Sequence, residues 1–320
     1  MSTALISYFH FQPKAGPFSY FDISNKAYYS SEEKNIGLKN LLNSELEVML
    51  SFLEKNAERK INLVLSIPVL ELLVEQPKGQ SRIKKMIKKG QLELLACPGY
   101  DSLSVLFSRA LFKKEIALQM ELMESLFSYK PTGFINTALL YSDKLAEIIE
   151  ESGFAYTIVP GISWYPKDST APHYRSGSGK LKLFVPVNSF AELSAKPNQV
   201  ILASSFEGKT VGEISEFSLL SEFKNDPKPN EYALPNLAAY DLELGGLGMI
   251  VGNNLQKDYL ARLKELSSRV EPTNDSDLIA DYLWLGSLAH FKALSNSAAD
   301  RHKVYSKLLT MLYDLEIRLR

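Results

Sequence analysis

Apolar positions recur along the chain with two periods. The alternation between them predicts strands and helices taking turns through the first two thirds. Ala4 to Phe11 is an unbroken run of β-formers that stops at Gln12-Pro13, as expected of a buried first strand ended by proline. A helical pattern over Ser44 to Asn56 leads to a strand at Ile61 to Ile67, a short helix at Val69 to Val74 and another helix at Ser81 to Lys89. Gly90 introduces a third strand, Gln91 to Ala96, and Ala110 to Leu126 reads as an amphipathic helix. The stretch Lys130 to Gly161 then gives strand (Thr132 to Asn136), helix (Ser142 to Glu151), a glycine stop at Gly153 and strand (Phe154 to Val159). Ser163 to Lys180 is loop-like, and Leu181 to Val187 and Gln199 to Phe206 read as extended pieces. After the linker-like KNDPKPN (Lys224 to Asn230) the period becomes helical, with helices at Asp258 to Ser267, Asp277 to Leu294 and His302 to Leu319. The expected division is therefore 1–225, parallel α/β, and 226–320, helical and packed on the cleft of the first part.

Composition narrows the function classes. At 320 residues and 45% hydrophobic, the chain can bury a sizeable core. Lys and Arg total 36 against 37 Asp and Glu, so no global field favours nucleic acid. Arg82, Lys84, Lys85, Lys88 and Lys89 cluster, but no aromatic residues interleave them, and they read as a solvated helix face. Cys97 is the one cysteine, which excludes an intrachain disulfide and a thiolate metal cluster. The four histidines, at 10, 173, 290 and 302, show no metal spacing, and no phosphate-binding glycine loop is present. No cofactor or metal is expected, nor a membrane or nucleic-acid partner, and a cytoplasmic location is the default.

In parallel α/β folds the reacting groups sit in loops after strands. After the fourth strand the chain reads Phe134-Ile135-Asn136-Thr137-Ala138-Leu139-Leu140-Tyr141, a segment with no carboxylate, imidazole or thiol. It resembles the phrase F-R-N-T-E-L-I-Y of the α-amylase and 4-α-glucanotransferase relatives of glycoside hydrolase family 57. The glutamate there is the nucleophile, and its place is taken by Ala138. Other phrases carry the same resemblance. Phe18 to Ile23 is similar to R-F-F-D-I, Gly252-Asn253-Asn254-Leu255-Gln256 to the end of W-L-G-N-D-L-Q, and Leu309 to Leu319 to a terminal N-x-L-x-D-F-E-L-R-L.

The mismatches fall on polar positions. Phe11 stands where the family's H-Q-P has a sugar-site histidine, with His10 one residue earlier and on the opposite strand face. Ala96 to Leu103 resembles A-E-T-Y-Y-H-S-L, with Cys97 for the glutamate, Asp101 for the histidine and Tyr100 kept. Ser205 is the best register for the acid/base aspartate, Glu207 lies two residues on, and Ile250 replaces a tryptophan.

The resemblance implies an incomplete TIM-like (β/α)7 barrel followed by a C-terminal helical bundle, and a noncatalytic homologue without cofactor or metal. Expected partners are an α-glucan or maltooligosaccharide, and a second copy or an active family member. Alternatives are a hydrolase or transferase working through Asp101, Glu207 or Asp241, and a structural protein whose cleft is filled by Phe11 and Ile250. His10, Tyr100, Asp101, Asn136, Trp164, Tyr165 and His290 are the candidate sugar contacts. Five of them also have a structural reading: His10 as a core residue, Asp101 and Asn136 as turn caps, Trp164 and Tyr165 as packing anchors.

Overall fold

A computed structural model describes residues 3–24, 27–161, 174–187, 199–203, 218–223, 230–232, 234–241 and 245–320. Trp164, Tyr165, His173, Ser205 and Glu207 lie outside the described residues, as does the 225/226 boundary.

Strand β1 (Thr3–Phe9) pairs in parallel with β2 (Ile61–Leu65), which pairs in parallel with β3 (Leu92–Leu95). A single bridge, Ala96 with Phe134, joins β3 to β4 (Gly133–Ile135), and β4 pairs with β5 (Tyr156–Ile158). A two-residue strand, β6 (Tyr174–Arg175), runs antiparallel to β7 (Lys182–Phe184), within the region expected to be loop. One extended stretch, 182–187, closes the ring: β7 pairs with β5, and β8 (Pro186–Val187) pairs with β9 (Gln199–Ala203), which returns to β1. Counting β7 and β8 as one strand, the order β1-β2-β3-β4-β5-β7/β8-β9 makes seven parallel strands around a barrel. Among the described residues the fold is thus a TIM-like barrel of seven strands, followed by helices.

Helices fill the four crossovers from β1 to β5. Ser31–Leu41 (α1) continues through a five-residue π segment, Leu42–Leu46, into Glu47–Lys55 (α2), so this crossover helix begins well before the expected Ser44. Ile67–Val74 (α3) and Pro77–Lys88 (α4) connect β2 to β3; both begin with proline in the first turn, where a missing N–H costs nothing. Arg82 on α4 pairs with Glu47 and with Glu54 (2.8 Å), which accounts for part of the basic cluster. Arg109–Phe127 (α5) and Asp143–Glu151 (α6) follow β3 and β4, each with a serine N-cap accepting a backbone N–H.

Alternation along β1 sorts the core. Ala4 and Ile6 point into the barrel with Val64, Leu95, Ile135 and Phe184. Leu5 and Phe9 point outward against Met49, Leu50 and Leu70 of the surrounding helices.

From Leu247 the chain is helical: Leu247–Ile250, Asn254–Val270, Ser276–Leu285, Leu288–Ala293 and Arg301–Arg318. The helix expected to run from Asp277 to Leu294 is broken at Gly286-Ser287, where Gly286 packs so closely on Phe107 that a Cβ would lie 2.6 Å from its ring. The well-matched phrases prove to be joints. Asn253 caps its helix through Gln256 N, while Gln256 Nε2 donates to Met249 O and Phe291 O, at 3.1 and 3.0 Å. Asp314 accepts from Ser24 N (2.6 Å) and Tyr28 Oη (2.7 Å), tying the last helix to the loop after β1.

Candidate functional site

A cavity of about 300 Å³ opens at the C-terminal ends of the barrel strands. Its floor is apolar, made by Tyr8, Val64, Ile135, Leu139 and Leu202 from four strands and the turn after β4. Polar groups stand around it: His10 after β1, Ser66 after β2, Asp101 after β3, and Asn136 and Thr137 after β4. Tyr240, Asp241, Leu288 and Lys292 reach over from the C-terminal part.

The loop after β3 is held by a buried polar face of α5. Gln119 Oε1 accepts from Cys97 N (2.8 Å) and its Nε2 donates to Leu65 O (2.7 Å), joining β2 to β3. One turn earlier, Glu115 is fully buried and accepts from Tyr100 N and Ser104 Oγ, both 2.8 Å, and from Ser102 Oγ. Burial pushes the Glu115 carboxyl up to about 7, against the pull of these donors, with the Asp101 charge adding to the rise. So anchored, the loop sets Asp101 in the left-handed region at φ 53°, its N–H on Pro98 O and its carbonyl accepting Leu288 N.

Asp101 Oδ2 lies 3.8 Å from His10 Nε2, and roughly a quarter of each side chain is accessible, 28% and 26%. Enclosure raises the Asp101 carboxyl above its ordinary range. His10, the Thr137 hydroxyl and Lys292 oppose the rise, and Asp241 reinforces it. Asp241 pairs with Lys292 at 3.1 Å. Cys97 is buried in the wall, and burial holds its thiol well above the usual range.

The candidate residues divide. His10, Asp101, Asn136, Ala138 and Asp241 converge on the cavity. Asn136 also caps the turn, accepting Thr137 N at 3.0 Å and donating to Leu140 O at 2.9 Å. Ala138 sits at φ 49°, a conformation that strains a residue with a Cβ. Tyr100 lines a different cavity, about 270 Å³, with Tyr29, Glu71, Asp281 and Trp284. His290 is buried edge-on to Trp284 (4.5 Å), and burial pushes its imidazole down to about 3. Phe11 turns outward onto α1, where a Cβ on Gly37 would come within 2.4 Å of its ring. Ile250 is buried in the core of the helical part. Neither residue of the alternative filled cleft lines the cavity: strand alternation aims Phe11 at the outer layer, and Ile250 packs in the core.

Sequence reasoning missed Tyr8, Lys292, Glu115 and Gln119. Tyr8 was legible from its shared face with His10, and Glu115 and Gln119 from being one turn apart on an apolar helix. Lys292 carried no signal. Among the described residues, no group of three or more His, Cys, Asp and Glu could hold a metal ion, and no helix is long and apolar enough to cross a membrane.

Comparison with known structures gives the same architecture. The 4-α-glucanotransferase of Thermococcus litoralis superposes with a TM-score of 0.67 at 14% identity, over 100% of this chain and 60% of that one. A branching enzyme of Thermococcus kodakaraensis, solved in complex with glucose, gives 0.71 at 11% identity over 99% and 90%. A Methanocaldococcus jannaschii protein named provisionally as an α-amylase is 31% identical over 80 residues, 25% of this chain and 17% of that one. The chain therefore spans 60% of the glucanotransferase, and its match covers 17% of the M. jannaschii protein. The sequence model described as glycosyl hydrolase family 57 matches residues 7–192, more than half of the chain, and the chain belongs to that family.

Proposed function

We propose that this protein is a noncatalytic member of family 57 that binds an α-glucan or maltooligosaccharide in the barrel-mouth cavity, by itself or as the partner of an active family member. The observation carrying this reading is an open cavity at the face where barrel enzymes place their chemistry, with the methyl group of Ala138 in its wall. A retaining glycosidase needs two carboxylates about 5 Å apart, one of them the nucleophile. A methyl group cannot attack an anomeric carbon. An apolar floor under a ring of donors and acceptors suits a pyranose, which has an apolar C–H face and hydroxyl edges. The α-glucan class comes from the relatives' names.

One observation favours a second reading. Asp101 and Asp241 line the same cavity, the first with its carboxyl raised and the second beside a lysine, an arrangement in which one carboxyl could act as acid and the other as base. A single experiment separates the readings: heat-induced unfolding with and without maltoheptaose, paired with a reducing-sugar assay on the same sample. Stabilisation without release of reducing ends supports the binding protein, because a ligand selective for the folded state raises its apparent stability. Release that is lost in Asp101→Asn or Asp241→Asn supports the second reading. No stabilisation and no release refutes both.

A further inference from the structure

We propose that Glu115, behind the cavity wall, is the positioning residue of the saccharide site, its ionised carboxylate holding Asp101 in the geometry that binds sugar. This role rests on the reading that the cavity binds saccharide, and it follows from what the two carboxylate oxygens hold. Oε1 accepts Tyr100 N (2.8 Å), from the residue before Asp101, and Oε2 accepts Ser102 Oγ, from the residue after it. Oε2 also accepts Ser104 Oγ (2.8 Å), while Ser104 N donates to Ser102 Oγ at 3.1 Å. The carboxylate thus straddles Asp101, which lines the cavity. Between the two holds Asp101 lies at φ 53°, a backbone conformation that persists where its surroundings fix it.

A neutral amide suffices for anchoring alone, as Gln119 shows one turn along α5, where it ties β2 to β3. At 115 the chain places an ionisable group, fully buried, and among the described residues no Lys, Arg or His pairs with it. Asp101 is the charged group whose field reaches it. Cys97 and Tyr100, on the same loop, feel its charge, and burial holds both protonated. From the other sides α3 brings Glu71 near Tyr100, Arg82 of α4 pairs with Glu47 and Glu54, and the helical part sets Ser287 against Ser102. With burial lifting the carboxyl to about 7, the hold changes near neutrality. A proton on Oε1 would face the Tyr100 N–H, so it settles on Oε2 and obliges a serine hydroxyl to turn and accept. The charge-assisted bonds become neutral ones of about half the strength. Asp101 is then held less firmly, and saccharide affinity falls.

The test is isothermal titration of the intact protein with maltoheptaose from about pH 5.5 to about pH 8.5. Wild-type affinity is expected to rise about five-fold, centred near pH 7. Glu115→Gln, an uncharged mimic of the protonated state, is expected to stay at the weak level throughout. Ser104→Ala withdraws one donor and keeps the carboxyl, so its rise is expected at higher pH. A wild-type affinity that does not vary with pH overturns the role of Glu115 while saccharide binding stands. So does a rise that persists in Glu115→Gln, or a midpoint that Ser104→Ala leaves in place. Should Glu115→Gln fail to fold, as circular dichroism would show, the Ser104→Ala midpoint decides. No binding of maltoheptaose at any pH removes the underlying reading, and this role with it.

Discussion

Glu115 gives the sharpest test of how the site loop is built. Its carboxylate is fully buried and gathers three donors from the loop that presents Asp101. Raising a carboxyl from 4.5 to about 7 costs about 3 kcal/mol once the group is fully ionised, at about 1.4 kcal/mol per tenfold change. Between those values the folded protein holds a proton that the unfolded chain has released. Stability from this group is therefore greatest below pH 4.5, falls as pH rises, and levels off above pH 7. Most of the fall, about 2 to 3 kcal/mol, lies between pH 5 and 8.5. Glu115→Gln removes the titration and some acceptor capacity, adding a penalty that does not vary with pH. Urea unfolding of both proteins at pH 5 and 8.5 should show the wild type losing its advantage by that amount. Equal pH dependence in the two proteins would refute the claim that Glu115 titrates near neutrality in this loop.

The neighbours His10 and Phe11 should separate function from stability. His10→Ala is expected to weaken maltoheptaose binding at least about ten-fold with little change in melting, whereas Phe11→Ala should cost about 2 kcal/mol and leave affinity intact, as titration and thermal unfolding can check. The opposite pattern would mean that Phe11 faces the cavity. Ala138→Phe should fill the cavity and abolish ligand-induced stabilisation while the far-ultraviolet dichroism stays native; retained binding would place the ligand elsewhere. Gly252→Ala would set a Cβ 1.7 Å from Gly248 O, and chemical denaturation should register a loss of at least about 2 kcal/mol.

What the sequence made legible followed from local rules. Period two along Ala4 to Phe11 places His10 in the cavity and Phe11 against Gly37, as alternation requires. Ser142 and Gly153 mark the limits of α6, because a hydroxyl N-cap and a left-handed glycine are local requirements. The start of α1 was hidden because Ser31 to Asn43 is charged and polar over most of its surface, and tertiary packing holds it helical. The helix expected through Leu294 failed at Gly286, where contact with Phe107, 179 positions earlier in the chain, matters more than propensity. The Asp241–Lys292 ion pair in the cavity lining was illegible for a similar reason. Asp241 and Lys292 are brought together by backbone bonds from Ala238 to Tyr141 and from Leu288 to Asp101, contacts that no local pattern encodes. Tyr100 and His290 show the limit of reading by position alone: they flank site residues in sequence, yet their side chains line another cavity and the helical core.

The most direct test of the central claim combines equilibrium binding of maltoheptaose with product analysis of the same mixture after several days. The account predicts saturable binding that Ala138→Phe abolishes, with the heptasaccharide recovered intact. Shorter or longer oligosaccharides that form with wild-type protein and fail to form with Asp101→Asn or Asp241→Asn would contradict it, and would make this chain a working glucan hydrolase or transferase.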